Sequence, residues 1–236
     1  IDLCPVGALT SKPYSFVSRP WELKKTETID VMDAIGSNIR VDTRGGEVLR
    51  VLPRVNEDIN EEWISDKARF SCDGLKRQRL DKPFVRKDGK LVPASWDEAL
   101  SVVADKMKQI SPEAIAVLVG DQCEAESMFA LKCLAEKLGI ENIDCRQDGA
   151  KINTDSRASY LFNSTIAGIE DADAVLLIGT NPRWEAPVLN ARIRKRWLET
   201  RLPIALIGEE YDLTYDVDYL GNSALLLEQI LQGQHS

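Results

Sequence analysis

The 236-residue sequence contains a single histidine, His235, and that scarcity removes two broad classes of chemistry. Neither a hydrolase triad built around imidazole nor a multi-histidine metal site can be assembled from it. Cysteine is present in the wrong arrangement for a cross-linked scaffold. Five residues (Cys4, Cys72, Cys123, Cys133 and Cys145), an odd number with no C-x-x-C pair, argue against disulfides and for thiols in a reducing compartment. No apolar run approaches the ~20 residues that span a bilayer, and the first residues lack the charged and apolar regions of a secretion signal, so no direct membrane insertion is expected. There is no G-x-G-x-x-G and no P-loop, hence no phosphate cradle of those kinds. Internal repeats and low-complexity tracts are absent as well.

What is present reads as an ordinary globular chain, 44% hydrophobic and 29% charged. Its length predicts one sizeable α/β core with a smaller unit beside it. The net charge of −8 excludes a general role on nucleic acid, because phosphate binding needs clustered Lys and Arg with little acid between them. Short basic runs, Lys76-Arg77-Gln78-Arg79 and Arg192-Ile193-Arg194-Lys195-Arg196, fit a solvated face or an intersubunit contact. The chain opens at Ile1 without a methionine, inside what looks like a motif, and stops at Ser236 after a helical pattern. Both ends read as cuts.

Along the chain, residues 1–23 form an irregular segment in which Cys4-Pro5, Lys12-Pro13 and Arg19-Pro20 discourage helix. From 24 to 54 the pattern is β-like, with a hairpin turn at Arg44-Gly45-Gly46-Glu47. Trp63, Ile64 and Phe70 are expected to anchor a small satellite core, and Lys87-Asp88-Gly89-Lys90 to make a tight turn. The texture then changes to alternating helices and strands. Ser95-Trp96-Asp97-Glu98 predicts a capping box at the start of a helix reaching about Ile110, with Ala99, Val102, Val103 and Met107 on one face. The run 114–119 predicts a strand covered on both faces. Further elements are a helix over 124–138 stopped by Gly139, a short strand at 142–145, a buried strand at 172–178, a helix at 187–199, a strand at 203–207 and a last helix at 224–231. This order implies a parallel sheet with helices on both faces.

Few residues could carry chemistry. Cys4-Pro5-Val6-Gly7 has the form of the last cysteine of a bacterial-type 4Fe–4S ligand set, in which a proline follows the thiolate. A cluster needs four such ligands, so Cys4 is either one ligand of a site completed upstream or a buried thiol. Gly179-Thr180-Asn181-Pro182 lies at the C-terminal end of a strand, where α/β sheets bind ligands. The same residues also suit a plain strand-to-helix turn. Cys72 and Cys145 read as ordinary thiols. Asn163-Ser164-Thr165 matches a glycosylation sequon and is taken as chance in a non-secreted chain. Trp21, Trp184 and Trp197 read as core or interface anchors.

Several longer stretches carry a resemblance. They include Ile1-Asp2-Leu3-Cys4-Pro5-Val6-Gly7-Ala8-Leu9 with Arg19-Pro20-Trp21-Glu22, Asp30-Val31-Met32-Asp33-Ala34-Ile35-Gly36-Ser37-Asn38, Asn56-Glu57-Asp58-Ile59-Asn60-Glu61-Glu62-Trp63, Asp73-Gly74-Leu75-Lys76-Arg77-Gln78-Arg79 and Gly179-Thr180-Asn181-Pro182-Arg183. Together they resemble the large iron–sulfur subunits (75 kDa type) of respiratory complex I, NADH:quinone oxidoreductase, in the mitochondrial and α-proteobacterial branch. The resemblance implies an α/β fold in which a small β-rich, iron–sulfur-like domain precedes a truncated parallel-sheet domain of molybdopterin-oxidoreductase type. The implied boundaries are an exit segment of the ferredoxin-like cluster domain at 1–23, the small domain at 24–83 and the partial α/β domain at 84–236.

By the same resemblance Cys4 is the fourth thiolate of a 4Fe–4S cluster whose other ligands lie outside this chain, so the chain alone should assemble none. The wider molybdopterin family ligates a further cluster through four cysteines of the small domain, and the corresponding positions here are Asp30, Asp33, Ser37 and Ser65. Those oxygen donors are poor substitutes for thiolates, so neither that cluster nor molybdopterin is expected. In the wider family the molybdenum-binding cysteine falls near Gly149, where nothing can bind metal. The implied role is part of electron transfer from NADH to quinone, mainly as scaffold without a catalytic centre in this portion. Its partners would be other peripheral-arm subunits, on the cytoplasmic face of a bacterial membrane or the matrix face of the mitochondrial inner membrane. Two alternatives are kept, a molybdopterin-dependent oxidoreductase of formate-dehydrogenase type and a free-standing α/β binding module.

Overall fold

The computed structural model describes residues 4–145, 151 and 153–234. The chain forms two compact units, one made of Ile1–Leu75 and Leu161–Ser236, the other of Lys76–Tyr160.

The first unit begins with the irregular exit segment and then builds an antiparallel sheet from β1 (Lys24–Ile29), β2 (Asn38–Arg44) and β3 (Glu47–Pro53), in that order. Gly45 (φ 58°) and Gly46 (φ 87°) turn the chain between β2 and β3. Two consecutive left-handed residues match the twist of the flanking strands, and glycine adopts that conformation without strain. Asp42, fully buried, accepts hydrogen bonds from Arg40 Nε at 2.9 Å and Arg50 Nε at 2.7 Å across the ladder.

A second fixed point is Asn60, also fully buried. Its Oδ1 accepts from the Asn38 N–H at 2.9 Å, and its Nδ2 donates to the Arg54 and Trp63 carbonyls, each at 3.1 Å. One side chain thereby ties loop 56–63 to the start of β2 and the end of β3. Helix α1 (Asp66–Phe70) follows, its N-cap Ser65 accepting from the Ala68 N–H at 3.0 Å. The expected satellite core differs in content. Trp63 and Phe70 are exposed, while Asn60, Ser65 and Ala68 are buried. Apolar identity marked the wrong residues because polar stapling organises this loop.

In the second unit β4 (Phe84–Lys87) and β5 (Lys90–Pro93) form the expected hairpin, with Asp88 and Gly89 both at positive φ. Helix α2 (Trp96–Gln109) starts as predicted, the Ser95 hydroxyl accepting from the Glu98 N–H at 3.2 Å. The Glu98 carboxylate, expected to complete the box, pairs with Lys87 Nζ at 2.5 Å instead. Strand β6 (Ala116–Leu118), helix α3 (Ala125–Leu138), ended by Gly139, and strand β7 (Asn142–Asp144) follow, β6 and β7 pairing in parallel.

The expected cover on both faces of the 114–119 run is not found. Leu118 is 66% exposed, and Val102 and Val103 of α2 are exposed as well. Two three-residue strands offer too little surface to bury helices. Among the described residues only Ala135 and Ile140 are buried in this unit.

The chain then returns to the first unit with β8 (Val175–Ile178), α4 (Pro182–Glu185), α5 (Pro187–Thr200), β9 (Ile204–Ile207), β10 (Asp218–Gly221) and α6 (Leu225–Leu231). The three strands are parallel with β9 central. The mixed α/β architecture with parallel strands is as expected. Instead of one sheet, however, the described parallel strands form two, β6 with β7 and β8 to β10. Strand β8, expected to be buried, leaves Leu176 and Ile178 exposed and buries Leu177.

The core lies where Leu177, Ile193, Leu202, Ile204, Leu206 and Leu213 meet. Full burial of a residue such as Leu206 contributes about 1.5–3 kcal/mol. On one side of it Tyr215 donates to Asn190 Oδ1 at 2.8 Å, and burial pushes the Tyr215 hydroxyl well above its ordinary pKa. On the other side the buried guanidinium of Arg192 donates to Glu170 Oε1 at 2.8 Å and to the Glu57 carbonyl at 2.6 Å. Lys195 bridges Glu61 at 2.6 Å and Glu170 at 3.2 Å. These contacts join helix α5 to the loop held by Asn60, so the first unit is continuous although its two halves are far apart in sequence.

Candidate metal centre

The exit segment places the one cysteine singled out by sequence. Cys4 is half-buried, and the loop after it curls through Gly7 at φ 68°. Backbone N–H groups of Leu9, most strongly, and of Val6, Ala8 and Gly7 hydrogen-bond toward its sulfur and hold the thiol below its ordinary pKa, against a smaller opposing effect of burial. Amides directed at a sulfur favour its anionic form, and a thiolate is the form that ligates metal. The segment is anchored to the small sheet. Arg50, already bonded to Asp42, lies over the Tyr14 ring at 4.4 Å, and Arg44 Nη1 donates to Ser18 Oγ at 3.2 Å.

The second candidate is the loop between β1 and β2. Strand pairing ends at Ile29 opposite Asn38, and the Asp30 N–H donates to the Ser37 carbonyl at 2.8 Å, extending the ladder by one step. Residues directly opposite in an antiparallel ladder project to the same face. Asp30 is 5% exposed and Ser37 fully buried. Asp30 Oδ1 accepts from the Met32 N–H, and Asp33 Oδ1 from the Ile35 N–H, both at 3.2 Å. Asp30 Oδ2, Asp33 Oδ2 and Ser37 Oγ have no hydrogen-bond partner. Burial, the largest effect, and the charge of Asp30 push the Asp33 carboxyl above its usual range, although the Ile35 amide, the Gly36 amide and Lys67 oppose them. The structure thus leaves Asp30, Asp33 and Ser37 each with an unpartnered buried oxygen, while the Ser65 hydroxyl is used as a helix cap.

The turn Gly179-Thr180-Asn181-Pro182 sits at the C-terminal end of β8 as expected. Gly179 and Gly208 approach so closely that a Cβ on Gly208, at φ 141°, would stand 3.3 Å from the Gly179 backbone. The start of α4 is capped internally, since Glu185 accepts from the Asn181 N–H at 2.8 Å and from Thr180 Oγ1 at 2.9 Å. A carboxylate therefore occupies the place where an anionic phosphate would need donors. Sequence reasoning missed this role of Glu185, which no local pattern signals.

Cys72 donates weakly to the Arg69 carbonyl at 3.9 Å, and Cys145 is exposed. None of the five cysteines forms a disulfide. Trp21 and Trp184 are exposed, and only Trp197 packs against the core. Gly149 and His235 lie outside the described residues. Among the described residues no group of three or more His, Cys, Asp and Glu could hold a metal, and no helix is long and apolar enough to cross a membrane.

Comparison with known proteins agrees with this architecture. Residues 79–236 match the family described as Molybdopterin oxidoreductase, and residues 23–73 match "NADH-ubiquinone oxidoreductase NDSU1/NuoG-like, 4Fe-4S domain". The chain belongs to the molybdopterin oxidoreductase family. Within it, the chain is similar to the NADH-ubiquinone oxidoreductase 78 kDa subunit, mitochondrial, of Candida albicans (59% identical over 99% of this chain and 33% of that protein) and of Neurospora crassa (55%, over 99% and 32%). It is also similar to the G-type NADH-quinone oxidoreductase subunit of Rickettsia conorii (57%, over 100% and 35%). The chain thus spans about a third of the length of these curated relatives.

The cluster named for residues 23–73 can be tested against the donor set. That stretch holds one cysteine, Cys72, and the positions that the resemblance pointed to carry the oxygen donors Asp30, Asp33, Ser37 and Ser65. These residues do not fit a 4Fe–4S group.

Proposed function

We propose that this chain is part of the iron–sulfur subunit of a respiratory NADH:quinone oxidoreductase and contributes to the path of electrons from NADH to quinone. Its contribution is one thiolate, Cys4, to a 4Fe–4S cluster whose remaining ligands lie outside the chain, together with a scaffold that carries no catalytic centre of its own. The observation that carries this reading is the loop of amides converging on the Cys4 sulfur. A cluster bound there would supply one-electron transfer, while the chain's own residues favour the thiolate form of that sulfur and anchor the segment through Tyr14 and Arg50. The relatives' names support the setting. The exit segment at 1–23, the small domain at 24–83 and the α/β domain at 84–236 would each keep the fold of a redox module.

Molybdopterin is not part of this proposal. The Glu185 carboxylate at the α4 turn and the Glu209 side chain after β9 make that sheet edge acidic, which disfavours the phosphates of a pterin nucleotide. The partners would be other subunits of the complex's peripheral arm, on the membrane face where NADH is oxidised. The test uses the subunit at the full length of its relatives. The Cys4→Ala variant should lose the paramagnetic signal of one reduced 4Fe–4S cluster and about four iron atoms per chain. An unchanged signal and iron content would remove Cys4 from the ligand set.

A further inference from the structure

The loop between β1 and β2 poses a question that the electron-transfer reading leaves open. Three polar oxygens, Asp30 Oδ2, Asp33 Oδ2 and Ser37 Oγ, are buried within eight residues of chain and have no partner. Buried polar groups are otherwise almost always satisfied, and an orphaned carboxylate oxygen is among the costlier exceptions. Asp30 and Ser37 face the same side because their backbones pair directly, and Asp33 is close enough to Asp30 for the two charges to repel. The Lys67 charge lowers Asp33 less than burial raises it. The loop therefore gathers two carboxylates and a hydroxyl without a matching positive charge.

We propose that Asp30, Asp33 and Ser37 form a binding site for one hard divalent cation of the Mg²⁺ or Ca²⁺ class. Oxygen donors suit such ions and not iron–sulfur clusters. Two carboxylates and one hydroxyl fill about half of an octahedral shell, which matches a cation that retains several of its own waters. The ion neutralises the repulsion between Asp30 and Asp33, gives each orphaned oxygen a partner and pins the loop against β2. The site is structural, and it stands or falls independently of the role proposed for Cys4.

The test is a titration of the full 236-residue chain with Mn²⁺, followed by electron paramagnetic resonance and with Mg²⁺ and Ca²⁺ as competitors. One saturable Mn²⁺ per chain is expected, displaced by either competitor and weakened at least tenfold in Asp30→Asn and in Asp33→Asn. Asp105→Asn, on the exposed face of α2, should bind as the wild type does. Because Asp30→Asn could disturb the loop, a crystal of the wild-type chain soaked in Mn²⁺ provides a second reading. An anomalous peak among Asp30, Asp33 and Ser37 supports the site. Any of three results overturns it: no saturable binding, binding indifferent to both Asn substitutions, or ordered water alone at that position in Mn²⁺-soaked crystals. Recovery of iron and sulfide bound through this loop would overturn it as well.

Discussion

The loop after Cys4 and the loop between β1 and β2 both bend at a left-handed glycine, Gly7 in one and Gly36 in the other, and they offer a metal opposite things. In the first, amides converge on a single sulfur. In the second, carboxylate and hydroxyl oxygens are buried without partners. The contrast lies in donor softness: a thiol suits an iron–sulfur cluster, whereas carboxylate and hydroxyl oxygens suit a hard cation.

The sharpest way to break that contrast is to exchange the variants. In the full-length subunit, Cys4→Ala should abolish one cluster signal completely, while Asp30→Asn should leave every cluster signal at wild-type amplitude. Low-temperature electron paramagnetic resonance of the reduced protein reads both. Loss of a signal in Asp30→Asn would mean that the oxygen-lined loop does carry a cluster, and the distinction between the loops would collapse.

A second contrast concerns packing. The sheet of β8 to β10 carries a core in which Leu206 is fully buried, whereas Leu118 in the other parallel pair is 66% exposed. Leu206→Ala should cost about 2–5 kcal/mol. Leu118→Ala should stay within about 0.5 kcal/mol, as surface substitutions usually do. Urea denaturation of the 236-residue chain measures both, and equal losses would show that the strand 116–118 is buried in solution.

These differences mark how far the sequence was legible. Element identities followed from local rules: the Gly45-Gly46 turn, the Ser95 cap and the Gly139 stop all stand where turn and cap chemistry put them. Burial was less legible, because an apolar stripe on α2 records which face can be covered and says nothing about what covers it. The break of the parallel strands into two sheets depends on pairings between distant residues, which periodicity does not encode. At the site, the resemblance pointed to Cys4 and to Asp30, Asp33, Ser37 and Ser65. That the oxygens of Asp30, Asp33 and Ser37 are buried without partners was not legible, since it depends on how the loop folds beyond the ladder step at Asp30. Asn60 went unnoticed for a related reason. An asparagine in a polar loop reads as solvent-facing until its four partners are seen.

Asn60 supplies the next prediction. Its removal leaves the Asn38 N–H and the Arg54 and Trp63 carbonyls without their bonds, so Asn60→Ala should cost about 1–3 kcal/mol. Hydrogen exchange should show faster exchange at the Asn38 amide, with the core of β9 unchanged. A uniform loss of protection would mean that Asn60 supports the whole unit instead of one loop.

The smallest expected effect separates two carboxylates of the same sheet region. Burial raises Asp42, but the hydrogen bonds and charges of Arg40 and Arg50 outweigh it, so its pKa is lowered on balance. Asp42 therefore stabilises the fold above the unfolded carboxyl pKa, and that contribution is lost as pH falls through its lower folded value. Asp33 runs the other way, because burial leads the effects that raise it. Its favourable contribution is complete below the unfolded pKa and is lost as pH rises through the raised folded value. Asp33→Asn cannot ionise, so the variant should be more stable than the wild type at pH 7 in chelator. The gain should be below about 1 kcal/mol because the side chain is only half-buried, and it should vanish near about pH 4. Added Mg²⁺ should close the gap from the wild-type side, since only a chain with both carboxylates gains from the cation. A variant no more stable than the wild type at neutral pH would show that the Asp33 charge is already compensated, and the case for a cation in that loop would lose its electrostatic ground.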